Sequence, residues 1–169
     1  MNGMNAVLYQ EGQYLTFTLS GEMFALGITG IKEIIEYTEV TQVPMMPDFV
    51  RGVINLRGAV VPVIDLGARF GRNRAATTRR SCVVIIESHG EDGKPQDLGL
   101  LVDTVCAVLD VEPGQIEPPP AFGAHIRVDF IAGMAKVDGR FVILLDADRV
   151  LSIDEMSRLA GVAPANDAA

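Results

Sequence analysis

Between Arg51 and Leu66 the chain reads Arg-Gly-Val-Ile-Asn-Leu-Arg-Gly-Ala-Val-Val-Pro-Val-Ile-Asp-Leu. Two apolar runs, Val53-Ile54 and Ala59 to Ile64, flank the tetrapeptide Asn55-Leu56-Arg57-Gly58. Runs this rich in Val and Ile read as buried strand. Gly58, just before the second run, suits a tight turn. Arg57 is then a cation fixed on a short rigid corner between buried segments. A long charged side chain at such a place needs a partner or solvent.

The chain has 169 residues, which suits one domain or two small lobes sharing a core. Apolar residues make up 49% and charged residues 21%, enough apolar material for a sizeable core and too little charge for a disordered chain. No apolar run reaches the roughly 18 residues that span a bilayer. The start, Met-Asn-Gly-Met-Asn-Ala-Val, lacks a basic region leading into an apolar segment, so no signal peptide is expected. The net charge of −8 argues against binding a phosphate backbone and against insertion into or attraction to an anionic membrane. Cys82 and Cys106 are too few for a disulfide framework and suit buried thiols in a reducing cytoplasm.

Most of the remaining pattern is strand. Leu15, Phe17 and Leu19 alternate with Thr16 and Thr18, and Ser20-Gly21-Glu22 turns the chain. Phe24, Leu26 and Ile28 continue the alternation, giving a hairpin. Thr29 is a candidate cap for a short helix, because Ile31, Ile34 and Ile35 recur at i, i+3 and i+4 among Lys32, Glu33 and Glu36. Pro44 and Pro47 interrupt the chain before a single helical turn at Asp48-Phe49-Val50. Residues 73–80 form a basic loop and 83–86 a buried strand. Residues 88–97 form a long exposed loop, and strand resumes at 98–102 and 105–111. Pro118-Pro119-Pro120 imposes an extended stretch. Residues 130–137 and 141–145 bracket an Asp138-Gly139 turn. Asp146 is placed to cap a C-terminal helix carrying Val150 and Leu151, and Ser152 with Glu155 has capping-box spacing. About nine short strands between turn signals predict barrel-like β structure.

Catalytic chemistry is hard to assemble from these residues. His89 and His125 have no second histidine at helical spacing, and Cys82 and Cys106 stand 24 positions apart without a Cys-x-x-Cys. Asp65 and Asp103 each end an apolar run. A carboxylate there is either half of an acid–base pair or an acceptor for backbone N–H groups at a strand end, and the second fits better. No phosphate-binding glycine motif is present. The triple proline suits a rigid loop better than a ligand for an aromatic groove.

The chain resembles the CheW family, the adaptor proteins of bacterial chemosensory arrays. The resemblance runs from about Gln13 to about Leu159 and rests on six segments in family order. They are Tyr14-Leu-Thr-Phe-Thr-Leu, Ile31-Lys-Glu-Ile-Ile, the Asn55-Leu-Arg-Gly corner with its Val-Pro-Val-Ile-Asp-Leu continuation, Leu98-Gly-Leu-Leu-Val-Asp-Thr-Val, Gln115-Ile-Glu-Pro-Pro-Pro, and Ile143-Leu-Leu-Asp.

The resemblance implies two small five-stranded SH3-like β-barrels packed on a shared apolar seam, with short helices and a C-terminal helix. It makes residues 13–160 a single CheW-like domain between flexible termini at 1–12 and 161–169. It implies no catalysis, no cofactor and no metal. Family members couple chemoreceptors, through the receptor's cytoplasmic tip, to the regulatory domain of the histidine kinase CheA. They do so in the cytoplasm, in receptor arrays at the inner membrane. The pathway served is open: flagellar chemotaxis, pilus-based motility or another output. A reuse of the fold for a small ligand or an enzyme would need Asp65, Asp103 and a histidine gathered in one polar pocket.

Site positions follow from the resemblance residue by residue. The family's receptor groove falls here on Ile31, Cys82, Val83 and Val108. Cys82 departs from the small hydroxyl residue common at its position, keeping the size and losing a good hydrogen-bond donor. The kinase contact falls on the corner that includes Arg57, with Glu33 facing it as an opposite charge. Phe122 matches an aromatic position in a second kinase contact, which closes adaptor–kinase rings.

Overall fold

A computed structural model describes residues 12–71, 76–89, 94–118 and 131–150. Among the described residues, eleven strands fall into two sheets. The first holds β1 (Gln13–Leu19), β2 (Glu22–Gly27), β8 (Thr104–Asp110), β9 (Ile116–Glu117), β10 (Ile131–Val137) and β11 (Arg140–Leu145), in the order β8-β1-β2-β11-β10-β9. The second holds β3 (Ile31–Glu36), β4 (Val50–Leu56), β5 (Ala59–Asp65), β6 (Cys82–His89) and β7 (Pro95–Val102), in the order β3-β6-β7-β5-β4. Two four-residue helices, α1 (Leu66–Arg69) and α2 (Ala147–Val150), follow β5 and β11.

The central strands β6 and β7 bury both faces, which is why they read as apolar runs rather than clean alternations. Along β6, Val83 and Ile85 point into the core of their own barrel, while Val84 and Ile86 point the other way. Along β11, Val142 and Leu144 fill the first barrel, while Leu145 points outward from it. The outward sets meet in one cluster that joins Leu15, Phe17, Leu19, Phe24 and Leu26 of one sheet to Ile64, Val84, Ile86, Leu98 and Leu100 of the other. The chain is therefore two small barrel cores with a third core, the seam, between them.

Three hairpins turn on a residue followed by glycine: Ser20-Gly21, Arg57-Gly58 and Asp138-Gly139. In each, both residues have positive φ, the geometry of a two-residue turn that follows the twist of the strands. Four strands carry a one-residue bulge, at Lys32, Arg51, Cys106 and Ala132. A bulge advances the side-chain alternation by one, so a strand can serve the seam before it and the barrel interior after it. At Gly52, just past the Arg51 bulge, a Cβ would lie 2.2 Å from the Thr41 carbonyl oxygen. The paired Thr41 and Val53 backbones (N···O 2.8 and 2.9 Å) thus need glycine at position 52.

Three expectations are corrected. The segment Ile31 to Glu36 is strand, preceded by a single 3-10 turn at Ile28–Gly30, and not a helix capped by Thr29. The bulge at Lys32 puts Ile31 and Ile34 on one face by inserting a residue, and so imitates the i, i+3 spacing of a helix. Both ends of the loop expected over 88–97 are strand: β6 runs to His89 and β7 starts at Pro95, pairing Ser88 with Gln96. Asp48 and Phe49 form a turn closed by Val50 N–H donating to the Pro47 carbonyl (2.9 Å), not a helical turn. The capping pair Ser152 and Glu155 lies outside the described residues, as do 1–11 and 161–169.

Candidate functional site

The corner at Arg57 is the tip of the β4–β5 hairpin. Asn55 Oδ1 accepts from the Gly58 N–H (2.9 Å) and fixes the turn. Arg57 reaches from it to Glu33 on β3 and makes a two-pronged contact, with Nη1 donating to Oε1 (3.3 Å) and Nη2 to Oε2. β3 and β4 are the two edges of the second sheet, so the pair latches the barrel where its sheet does not close. The hydrogen bond from Arg57 holds the Glu33 carboxyl below its ordinary value, and the same bond raises the guanidinium. Arg57 remains 71% exposed, and Val60 beside it in β5 is 70% exposed. The tip is therefore a rigid, solvent-facing mix of charge and apolar surface.

The second candidate face is the rim of the seam. Ile31 and Cys82 are half-buried and pack on the seam cluster. Val108, in the edge strand β8, stands opposite the seam residue Leu15 and is 54% exposed. The 3-10 turn before β3 packs against both β1 and β6, which carries the start of β3 to the first barrel. Ile34 pairs with Val84, a seam residue, and is 41% exposed. It belongs to this rim, and sequence reasoning missed it because a helix would have grouped it with Ile35. The register that sets Ile34 against Val84, past the Lys32 bulge, is the signal that locates it. Val83 is elsewhere: at 1% exposed it lies inside the second barrel beside Ile85 and Leu101, so it supports the rim from within and offers it no surface. Phe122 and His125 lie outside the described residues.

The candidate catalytic carboxylates are otherwise occupied. Asp65 is buried, caps α1 by accepting from the Ala68 N–H (3.1 Å), and faces the Arg51 guanidinium at 3.6 Å. Asp103 accepts from the Ser20 N–H (2.8 Å) and so ties β7–β8 to the β1–β2 turn. His89 Nε2 sits 3.4 Å from Glu87, whose other oxygen faces Lys32 at 3.7 Å. Lys32 also donates to both oxygens of Asp97 (3.0 and 3.2 Å), and that hydrogen bond raises its pKa. Among the described residues no group of three His, Cys, Asp or Glu is placed to hold a metal ion.

A paired barrel whose carboxylates bond backbone and whose apolar residues line an open rim belongs to the class of protein-docking modules. The family model described as a CheW-like domain matches residues 13–155. The chemotaxis protein CheW of Klebsiella aerogenes is 34% identical over 151 residues, covering 89% of this chain and 88% of that protein. The protein FrzA of Myxococcus xanthus is 26% identical over 132 residues, covering 76% of this chain and 77% of its own. The crystal structure of the scaffolding protein TtCheW from Thermoanaerobacter tengcongensis superposes with a TM-score of 0.76 at 32% identity, covering 86% of this chain and 90% of that one. The chain belongs to the CheW-like domain family, and its fold is the mainly β, two-lobed, SH3-like fold of that family.

Proposed function

We propose that this protein is a non-catalytic scaffold that couples chemoreceptors to the histidine kinase CheA in a chemosensory array. The observation that carries the reading is the Glu33–Arg57 latch, a rigid charged tip with Val60 exposed beside it. Such a tip suits a protein contact in which a central apolar residue is rimmed by charge. The kinase's regulatory domain meets this tip, and Phe122 serves a second kinase contact. The receptor's cytoplasmic hairpin, an α-helical structure, lies on the seam rim at Ile31, Ile34, Cys82 and Val108, in the manner of a helix in an apolar groove. The protein works in the cytoplasm, beneath receptors of the inner membrane. No helix among the described residues is long and apolar enough to cross a membrane.

Calorimetric titration of the protein with the regulatory domain of a CheA from the same cell, and separately with a soluble receptor cytoplasmic fragment, tests both faces. Arg57→Ala is expected to weaken kinase binding about tenfold or more while receptor binding persists, since truncating one partner of a bidentate pair also frees the tip. Val108→Glu is expected to abolish receptor binding and leave kinase binding intact. A folded Arg57→Ala protein that binds the kinase like wild type sinks the tip as the contact. The likeness to FrzA supports a second reading of the output, in which the same adaptor serves a non-flagellar chemosensory pathway.

A further inference from the structure

Arg69, Arg72, Arg74, Arg79 and Arg80 place five of the chain's fourteen basic residues within twelve positions, and no acidic residue occurs between Asp65 and Glu87. This happens in a chain of net charge −8. Arg69 serves the fold, with its guanidinium 5.2 Å from the centre of the Phe49 ring. Arg79 and Arg80 are exposed and form no ion pair among the described residues. Glu36, paired in register with Cys82, makes none with them.

The two arginines are nevertheless held in place. Thr78 N–H donates to Ser81 Oγ (2.8 Å), Ser81 N–H returns to the Thr78 carbonyl (3.1 Å), and Arg80 N–H donates to Thr78 Oγ1 (3.1 Å). Tyr37 N–H donates to the Ser81 carbonyl (3.0 Å), binding the segment to the end of β3. The Cys82 thiol contacts the Arg80 carbonyl at 3.4 Å, and Cys82 packs on the seam. Two solvent-facing cations on a pinned backbone thus stand where the apolar rim ends. Arg79 and Arg80, exposed and without an ion pair among the described residues, are open to an acidic group from outside the chain.

We propose that Arg79 and Arg80 form an arginine strap at the polar end of the seam rim, which clamps an acidic stretch of the α-helical partner seated there. The proposal rests on the rim being the receptor face. Charge complementarity selects the occupant: a helix whose apolar stripe covers Ile31, Ile34 and Val108 and which carries Glu or Asp beyond that stripe. A bilayer surface cannot enter the rim, and the acidic remainder of the chain would be repelled by anionic lipid.

The full-length protein, its Arg79→Glu/Arg80→Glu double variant and Ile34→Glu are titrated calorimetrically with a soluble chemoreceptor cytoplasmic fragment at low and high salt. Each protein is also floated with phosphatidylglycerol vesicles. The double reversal is expected to weaken fragment binding about tenfold at low salt and to flatten its salt dependence, with binding to the kinase regulatory domain unchanged. Ile34→Glu is expected to lose fragment binding at every salt concentration. A double variant that binds as wild type with the same salt dependence, while Ile34→Glu fails to bind, overturns the strap and leaves the rim standing. If neither variant affects fragment binding, the rim reading itself fails and the strap with it. Normal fragment binding with loss of vesicle binding makes the strap a lipid contact and overturns the proposal.

Discussion

Glu33 and Arg57 do two things at once. They hold β3 against the β4–β5 tip, and they present that tip in one shape. An exposed ion pair contributes little by itself, but a bidentate one fixes geometry. The Glu33 carboxyl is held below its ordinary value of 4.5, chiefly by the hydrogen bond from Arg57. A lowered acid stabilises the folded state fully above its unfolded value and loses that contribution as pH falls through the folded value. The stability gap between wild type and Glu33→Gln, followed by chemical denaturation, is therefore expected to stay constant at neutral pH and to close only below 4.5. A gap that instead opens on acidification would show that the pair does not stabilise the fold. The corner was legible in the sequence because glycine, arginine and the flanking apolar runs specify it locally. The partner was not, since 24 positions separate the two residues and nothing local to Arg57 marks Glu33.

At the scale of elements, the bulges decide which residues face out. The spacing of Ile31, Ile34 and Ile35 fits one face of a helix, but the strand sends Ile34 to the seam rim and Ile35 into the second barrel. Two substitutions of identical chemistry at adjacent positions should therefore behave differently. Ile35→Glu places a carboxylate against the second-barrel core of Val61, Val63, Val83, Ile85 and Leu101, and is expected to cost about 3 kcal/mol or more in a urea melt. Ile34→Glu is expected to change the melt by less than about 1 kcal/mol, as suits a surface position. Equal losses would mean that the bulge is misplaced. Hairpins with a residue-glycine turn were legible because turn chemistry is local. The bulges were not, because a bulge is set by the register of a distant partner strand. The extent of β6 and β7 was hidden likewise: Ser88 and Gln96 are polar by composition and become strand by pairing across the sheet. Val83 illustrates the same limit, as a run of four apolar residues does not tell which two face the seam.

The whole molecule hangs on the seam. Phe17 and Phe24 of the first lobe lie 6.3 Å apart, and Phe24 lies 5.8 Å from Phe70, which follows α1 of the second. Phe24→Ala is expected to cost about 3–5 kcal/mol and to lower both lobes together, with tryptic and circular dichroism melts coinciding. Two separated transitions would show lobes that fold independently. The first lobe takes strands from both ends of the chain, whereas β3 to β7 all fall between Ile31 and Val102. β11 must lodge between β2 and β10. On the ribosome, then, β3 to β7 emerge before β11, the parallel neighbour of β2, has been made. Until β11 is made, the nascent chain carries the β1–β2 hairpin with β2 unmatched on one side, so an early-made element waits for a late one to be completed.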